Sequence, residues 1–132
     1  MEETNKVFKE VENSNGVIVI PAFVGLSSPH WLPDSKAMIY GLTPSANKKH
    51  IIRASLESIA FQIKDYLDDL EKNKKIKYND IFIDGGLVNN IDFIQFLANI
   101  LQRKIYITNF VDMSSYGAVI MGLLGMKIGP KL

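Results

Sequence analysis

Asp84-Gly85-Gly86 ends a β-branched and aromatic run, Ile81-Phe82-Ile83, and Asn89 and Asn90 follow before apolar residues resume. An acid, two residues without Cβ atoms and a capping amide can do one kind of chemistry together. They let a flat ligand lie against bare backbone, beside the unsatisfied N–H groups of a helix N-terminus. Taken alone, the glycine pair also serves plain chain reversal. It is no phosphate loop, because the Gly-x4-Gly-Lys-[Ser/Thr] spacing is absent and no lysine follows. Asn90, four residues after Gly86, can cap a helix and can also offer an amide toward a ligand.

Other polar groups carry less. Ser27, Ser28, His30 and Asp34 are residue types a hydrolase uses, but no Gly-x-Ser-x-Gly elbow frames them and their spacing is too local. His30 and His50 lack ligand-spaced partners for a metal, and His50 stands where it can cap or pack a helix. Lys72, Lys74, Lys75 and Lys77 follow Asp65, Asp68, Asp69 and Glu71, which predicts a neutralised, solvated turn. Glu57 is either an exposed face residue or an ion-pair partner. Gly117-Ala118 and Gly122 suit close approach of a helix to its neighbour.

Regular elements must position these groups, and the period of the apolar residues predicts them. Val7, Phe8 and Val11 share one side of a short amphipathic opening, and "GVIVIPAF" is a strand stopped at Pro21. Residues 25–47 carry Gly25, Pro29, Pro33, Gly41 and Pro44, too much punctuation for a long element. Trp31, Ile39, Tyr40 and Leu42 are interleaved there, which predicts a packed excursion. A long helix starts near Asn47, with Ile52, Leu56, Ile59, Ile63, Tyr66/Leu67 and Leu70 as its apolar stripe. "DIFID" reads as a short buried-type strand. Asn89 or Asn90 then caps a helix carrying Phe93, Ile94, Phe96, Leu97, Ile100 and Leu101, enclosed on more than one side. "KIYIT" is another strand, and Ser114 or Ser115 caps a last helix, "YGAVIMGLLG". The class is α/β: helix-strand-helix-strand-helix after an irregular N-terminal excursion. That alternation implies a parallel pair joined by right-handed crossovers. Two or three strands are few for a sheet covered on both faces, so the chain reads as part of a larger domain.

Composition narrows the classes. The 132 residues are 47% hydrophobic and 22% charged, which excludes a disordered chain. Fifteen basic and fourteen acidic side chains leave a net charge of +1, no footprint for nucleic acid. Without cysteine there is no disulfide, thiolate metal site or thiol nucleophile. The polar, acidic opening is unlike a secretory leader, and no apolar run is long enough to span a membrane. The cytoplasm is the expected location.

Three stretches together resemble the FGGY carbohydrate kinases, and among them the glycerol kinase branch. The first is "VIPAFVGLSSPHWLPDSKAMIYGLT". The second is the spaced signature Ala37-Met38-Ile39-Tyr40-Gly41-Leu42, seven residues, His50-Ile51, two residues, Ala54-Ser55-Leu56-Glu57. The third is "IDGGLVNNIDFIQFLANIL" with "SSYGAVIMGLLG". Coverage runs from about residue 16 to about residue 125. Departures are Ser27-Ser28-Pro29-His30 for a more usual Gly-Ala-Pro-Tyr, Ala37 for glycine, Leu87 for a smaller residue and Tyr116 for leucine. Of the paired asparagines only Asn90 keeps its family place.

The resemblance implies a partial actin-like, RNase H-type ATPase domain: residues 1–132 as the C-terminal segment of a kinase whose N-terminal half is absent. It implies ATP and Mg²⁺ in the complete enzyme, with no metal ligand and no catalytic residue here. Gly85, Gly86 and Asn90 fall on the adenosine motif, and Gly117 and Ala118 lie beside the interdomain hinge. Adenine nucleotide, the missing kinase half and a second copy of the chain are the expected partners, without nucleic acid or membrane. Two further readings remain open: a non-catalytic packing module from a truncated or split kinase gene, and another FGGY sugar kinase.

Overall fold

The computed structural model describes residues 2–75, 77–108 and 112–128. Helix α1 is Glu2–Glu10, strand β1 Ile18–Ile20, strand β2 Met38–Tyr40 and helix α2 Lys48–Lys74. Strand β3 is Asp80–Ile83, and a 3-10 turn, Gly86–Asn89, leads into helix α3, Ile91–Leu101. Strand β4, Lys104–Ile107, and helix α4, Met113–Gly125, complete the order. β1 and β2 pair antiparallel, while β3 and β4 pair parallel with Ile81 opposite Ile105 and Phe82 opposite Tyr106.

The core sits where α1, α2 and α3 meet. Val7 of α1, Leu56 and Ala60 of α2, and Phe93, Leu97 and Leu101 of α3 are its buried members. The four-residue steps along α3 put its three members on one stripe, and each large side chain so buried contributes about 1.5–3 kcal/mol. Ile94, Phe96 and Ile100 pack around that stripe, so α3 is enclosed on several sides, as its composition predicts.

α2 starts where expected, and Asn47 caps it. Its side chain accepts from Lys49 N–H while His50 Nδ1 accepts from Asn47 N–H, a reciprocal box closed by a histidine. α1 is fastened by Arg53, a buried residue of α2. Its Nη1 donates to the carbonyls of Val11 (2.9 Å) and Phe8 (3.4 Å), and its guanidinium lies 4.2 Å from the Phe8 ring centroid. A cation at a helix C-terminus also meets the negative end of the helix dipole. Glu57, whose role the sequence leaves open, is the ion-pair partner: it accepts from Arg53 Nε at 2.8 Å.

Several expectations need correction. Trp31, Ile39, Tyr40 and Leu42 do not pack into an excursion. Met38–Tyr40 forms the second strand of a hairpin, and all four side chains stay exposed, Trp31 at 72%. Gly41 allows the close approach at the open end of that strand pair, since at φ +80 an added Cβ would stand 2.1 Å from the Gly16 carbonyl oxygen. β3 is not a buried strand. Ile81 packs toward the core, but Phe82 is 70% exposed and stacks on Tyr106 across the parallel pair at 5.0 Å. α4 is capped by Asp112, whose carboxylate accepts from Ser115 N–H at 2.9 Å, and not by Ser114 or Ser115.

The far end of α2 is tied to the parallel pair by charge. Arg103 donates to both carboxylate oxygens of Glu71 and to the Tyr78 carbonyl, and Tyr78 N–H donates to Glu71. The Arg103 hydrogen bonds, with that of Tyr78 N–H, hold the Glu71 carboxyl below its ordinary value. A depressed carboxylate stabilises the fold above its unfolded pKa of about 4.3, and that contribution is lost as pH falls through the lower folded value. Glu71→Gln is therefore expected to lower the unfolding midpoint near neutral pH and to match the parent in acid. Thermal scans across pH check this, and parallel curves for the two proteins would contradict it.

Candidate functional site

Parallel strands leave a sheet at one edge, and ligands of α/β folds bind beyond that edge. β3 leaves through Asp84 and Gly85. Gly85 has φ +94 and ψ −177, a combination open essentially to glycine alone. The chain then tightens into the 3-10 turn, with Val88 N–H donating to Gly85 O (3.2 Å) and Asn90 N–H to Leu87 O (3.0 Å). A side chain built at Gly85 or Gly86 would meet nothing within 4 Å, so the outer surface of the corner is open. Leu87 is exposed on the same turn.

Asn90 lies under this surface, 1% exposed. Its Oδ1 accepts from Phe93 N–H at 3.0 Å, which caps α3, and its Nδ2 donates to the Thr4 carbonyl of α1 at 2.8 Å. The capping role is therefore filled. The amide is turned inward to α1, so in this conformation it is not offered to a ligand above the turn.

The start of α4 joins the same edge. Asp84 Oδ2 accepts from Met113 N–H at 3.1 Å, and Thr108 N–H donates to the Ile83 carbonyl at 3.1 Å. The Ser115 hydroxyl, followed by the Ser115 N–H, holds the Asp112 carboxyl below its ordinary value. Gly117 and Ala118 lie on the first turns of α4, exposed, and a Cβ at Gly117 or Gly122 would meet nothing within 4 Å. Close packing at these positions thus has no counterpart among the described residues. The whole helix carries no charged side chain and no buried residue.

One pairing had no signal in the sequence. His30 Nε2 lies 2.5 Å from Asp65 Oδ2, joining the 27–33 loop to α2 across 35 residues. Both line a largely apolar cleft of about 830 Å³. Among the described residues no group of three or more His, Cys, Asp or Glu side chains could hold a metal ion, and no helix is long and apolar enough to cross a membrane.

The profile of the FGGY family of carbohydrate kinases, C-terminal domain, matches residues 2–126. A glycerol kinase of Shewanella pealeana is 41% identical over 128 residues, covering 97% of this chain and 26% of that protein. Glycerol kinase 1 of Thermotoga maritima is 38% identical over 122 residues, 92% of this chain and 25% of its own length. The crystal structure of Plasmodium falciparum glycerol kinase with ADP superposes with a TM-score of 0.82 at 37% identity, over 98% of this chain and 26% of that one. A ligand-bound xylulose kinase from Lactobacillus acidophilus shares the fold, with a TM-score of 0.78 at 23% identity. The chain spans about a quarter of the length of these relatives.

Proposed function

This chain belongs to the FGGY family of carbohydrate kinases as part of the C-terminal domain, and we propose that it supplies the adenosine side of the ATP site in a glycerol kinase-type phosphotransferase. Its fold is that of the C-terminal domain of these kinases, an actin-like ATPase type. The observation that carries the nucleotide reading is the open glycine corner after β3, where a nucleoside can lie on backbone at the carboxyl edge of parallel strands. ADP in the Plasmodium enzyme supports the choice of ligand.

In the reaction so assigned, the terminal hydroxyl of glycerol gives its proton to a base in another part of the kinase and attacks the γ-phosphorus of ATP, the bond to the β-phosphate oxygen breaks and ADP leaves. Such transfers rest on positioning and on neutralising phosphate charge. Gly85 and Gly86 leave room for the nucleoside. Asn90 acts from beneath, holding the turn on α3 and α1. Gly117 and Ala118 thin the surface of α4 where another part of the kinase closes against it. Among the described residues no group of three or more His, Cys, Asp or Glu side chains could hold Mg²⁺. The same reading places the chain where ATP is used, in the cytoplasm. Identity near 40% to glycerol kinases favours this branch over other sugar kinases, whose likeness at 23% speaks for fold alone.

Two outcomes are expected of the isolated chain. It should give no glycerol-dependent ADP production in a coupled assay, because it spans only about a quarter of the length of its glycerol kinase relatives. Turnover above a protein-free control would refute that. Millimolar ADP should shift the backbone amide resonances of residues 84–90. Shifts elsewhere, with these unmoved, would refute the adenosine reading.

A further inference from the structure

Asn15-Gly16 is the one place in the chain where glycine follows asparagine. The pair forms the central residues of a turn closed by Val17 N–H, which donates to the Ser14 carbonyl at 3.0 Å. Both have positive φ, +52 and +75, the type I′ pattern that asparagine and glycine adopt readily. The turn leads into β1 at the open end of the β1–β2 pair. Across that end Asn15 Nδ2 donates to Ser45 Oγ at 3.0 Å, and Ser45 Oγ is itself bonded to Thr43 Oγ1. Gly16 is exposed, and a Cβ there would meet nothing within 4 Å. Among the described residues its N–H has no acceptor.

We propose that Asn15-Gly16 is a self-modification site whose reaction the Asn15–Ser45 clasp holds back. The chemistry needs only water. Gly16 N gives its proton to solvent and attacks Cγ of Asn15. A C–N bond forms, the bond from Cγ to Nδ2 breaks, and the amide leaves as ammonia after taking up a proton. Water then opens the five-membered imide. Hydrolysis at Cγ leaves aspartate, and hydrolysis at the backbone carbonyl leaves isoaspartate, with the chain running through the former side chain. No Cβ on residue 16 shields the attacking nitrogen, and no hydrogen bond occupies its N–H. Attack also requires the carboxamide to swing over its own peptide bond, to about 3–3.5 Å from the nitrogen. The Ser45 bond restrains the side chain and the turn's own hydrogen bond restrains the backbone, so the reaction waits for local opening. The two products differ in consequence. An aspartate keeps the clasp, because the Ser45 hydroxyl can donate to its carboxylate. An isoaspartate adds a backbone methylene just before Gly16, whose carbonyl oxygen stands so near Gly41 that a Cβ on Gly41 would lie 2.1 Å from it. Extra chain there pushes the end of β1 off β2, beside the buried Val17.

The test ages the 132-residue chain in mildly alkaline buffer and follows Asn15 by peptide mapping, with fragmentation that separates aspartate from isoaspartate. The folded parent, the folded Ser45→Ala variant and the parent in denaturant are compared. The denatured chain should react fastest. Ser45 is exposed, so Ser45→Ala should fold as the parent does. It should react roughly two- to tenfold faster than the folded parent, the change in population that one hydrogen bond carries. Asn15→Asp should melt with the parent, whereas aged chain enriched in isoaspartate should melt lower. Asn15 left intact in the denatured chain, a folded parent reacting as fast as the denatured one, a Ser45→Ala chain as slow as the parent, or an isoaspartyl chain melting with the parent would each overturn the proposal.

Discussion

Gly86→Val, made in this chain fused to an upstream kinase polypeptide, is expected to weaken ADP and ATP binding by roughly 10- to 100-fold, the range that a steric cost of about 1–3 kcal/mol gives. The melting midpoint should stay that of the parent. The contrast follows from the corner's geometry. Gly86 opens the 3-10 turn without a left-handed backbone, and a Cβ there meets nothing within 4 Å. Valine is thus accommodated by the fold, while its two methyl groups fill the space above the turn assigned to the nucleoside. Gly85 does not offer so clean a test, because a side chain at φ +94 adds backbone strain of about 1–3 kcal/mol whatever the ligand does. Calorimetric titration with nucleotide and, separately, with glycerol reads the result. Glycerol affinity should be unchanged, and a variant binding nucleotide as tightly as the parent would reduce the glycines to a chain reversal.

The mirror-image outcome is expected one turn later. Asn90→Ala should cost about 2–4 kcal/mol, the sum of a lost helix cap and a lost buried hydrogen bond. In a domain of this size that lowers the melting midpoint by roughly 10 °C. Both bonds, to Phe93 N–H and to the Thr4 carbonyl, vanish together at a site 1% exposed. Asn90→Asp separates them. An aspartate keeps the acceptor for Phe93 N–H but sets a carboxylate oxygen against the Thr4 carbonyl, so its deficit should shrink in acid, where a protonated carboxyl can donate. A variant of Asn90 that melts like the parent yet loses nucleotide affinity would instead make this side chain a direct contact.

Much of the frame was legible because the local signals agreed. The stripe from Ile52 to Leu67 put a long helix after Asn47, and α2 begins there with Asn47 as its cap. The α3 pattern and its cap at Asn90 were equally consistent. β2 was lost among Pro33, Gly41 and Pro44, since a three-residue strand has too short a period to outweigh such punctuation. The cap of α4 was misplaced because serines and an aspartate compete there, and the aspartate stands one residue before the helix begins. Burial was the least legible quantity. Phe82, Trp31 and Tyr40 have core chemistry and stand in the open, because burial depends on neighbours that these residues do not specify. At the glycine corner the residue types predicted a strand exit and a turn, which Gly85 and the 3-10 turn supply. The inward turn of the Asn90 amide depends on α1, 86 positions away in sequence, and could not be read locally.

Helix α1 is held at both ends by side chains from different elements, Asn90 at the Thr4 carbonyl and Arg53 at those of Phe8 and Val11. A short outer helix ordinarily opens independently of the body it rests on. This one cannot lift without releasing the cap-bearing residue of α3, the Arg53 guanidinium and the Val7 core contact in one event. Its amides should therefore exchange only through the same large opening that exposes α2 and α3, making the first helix part of the slowest-exchanging cooperative unit of the molecule.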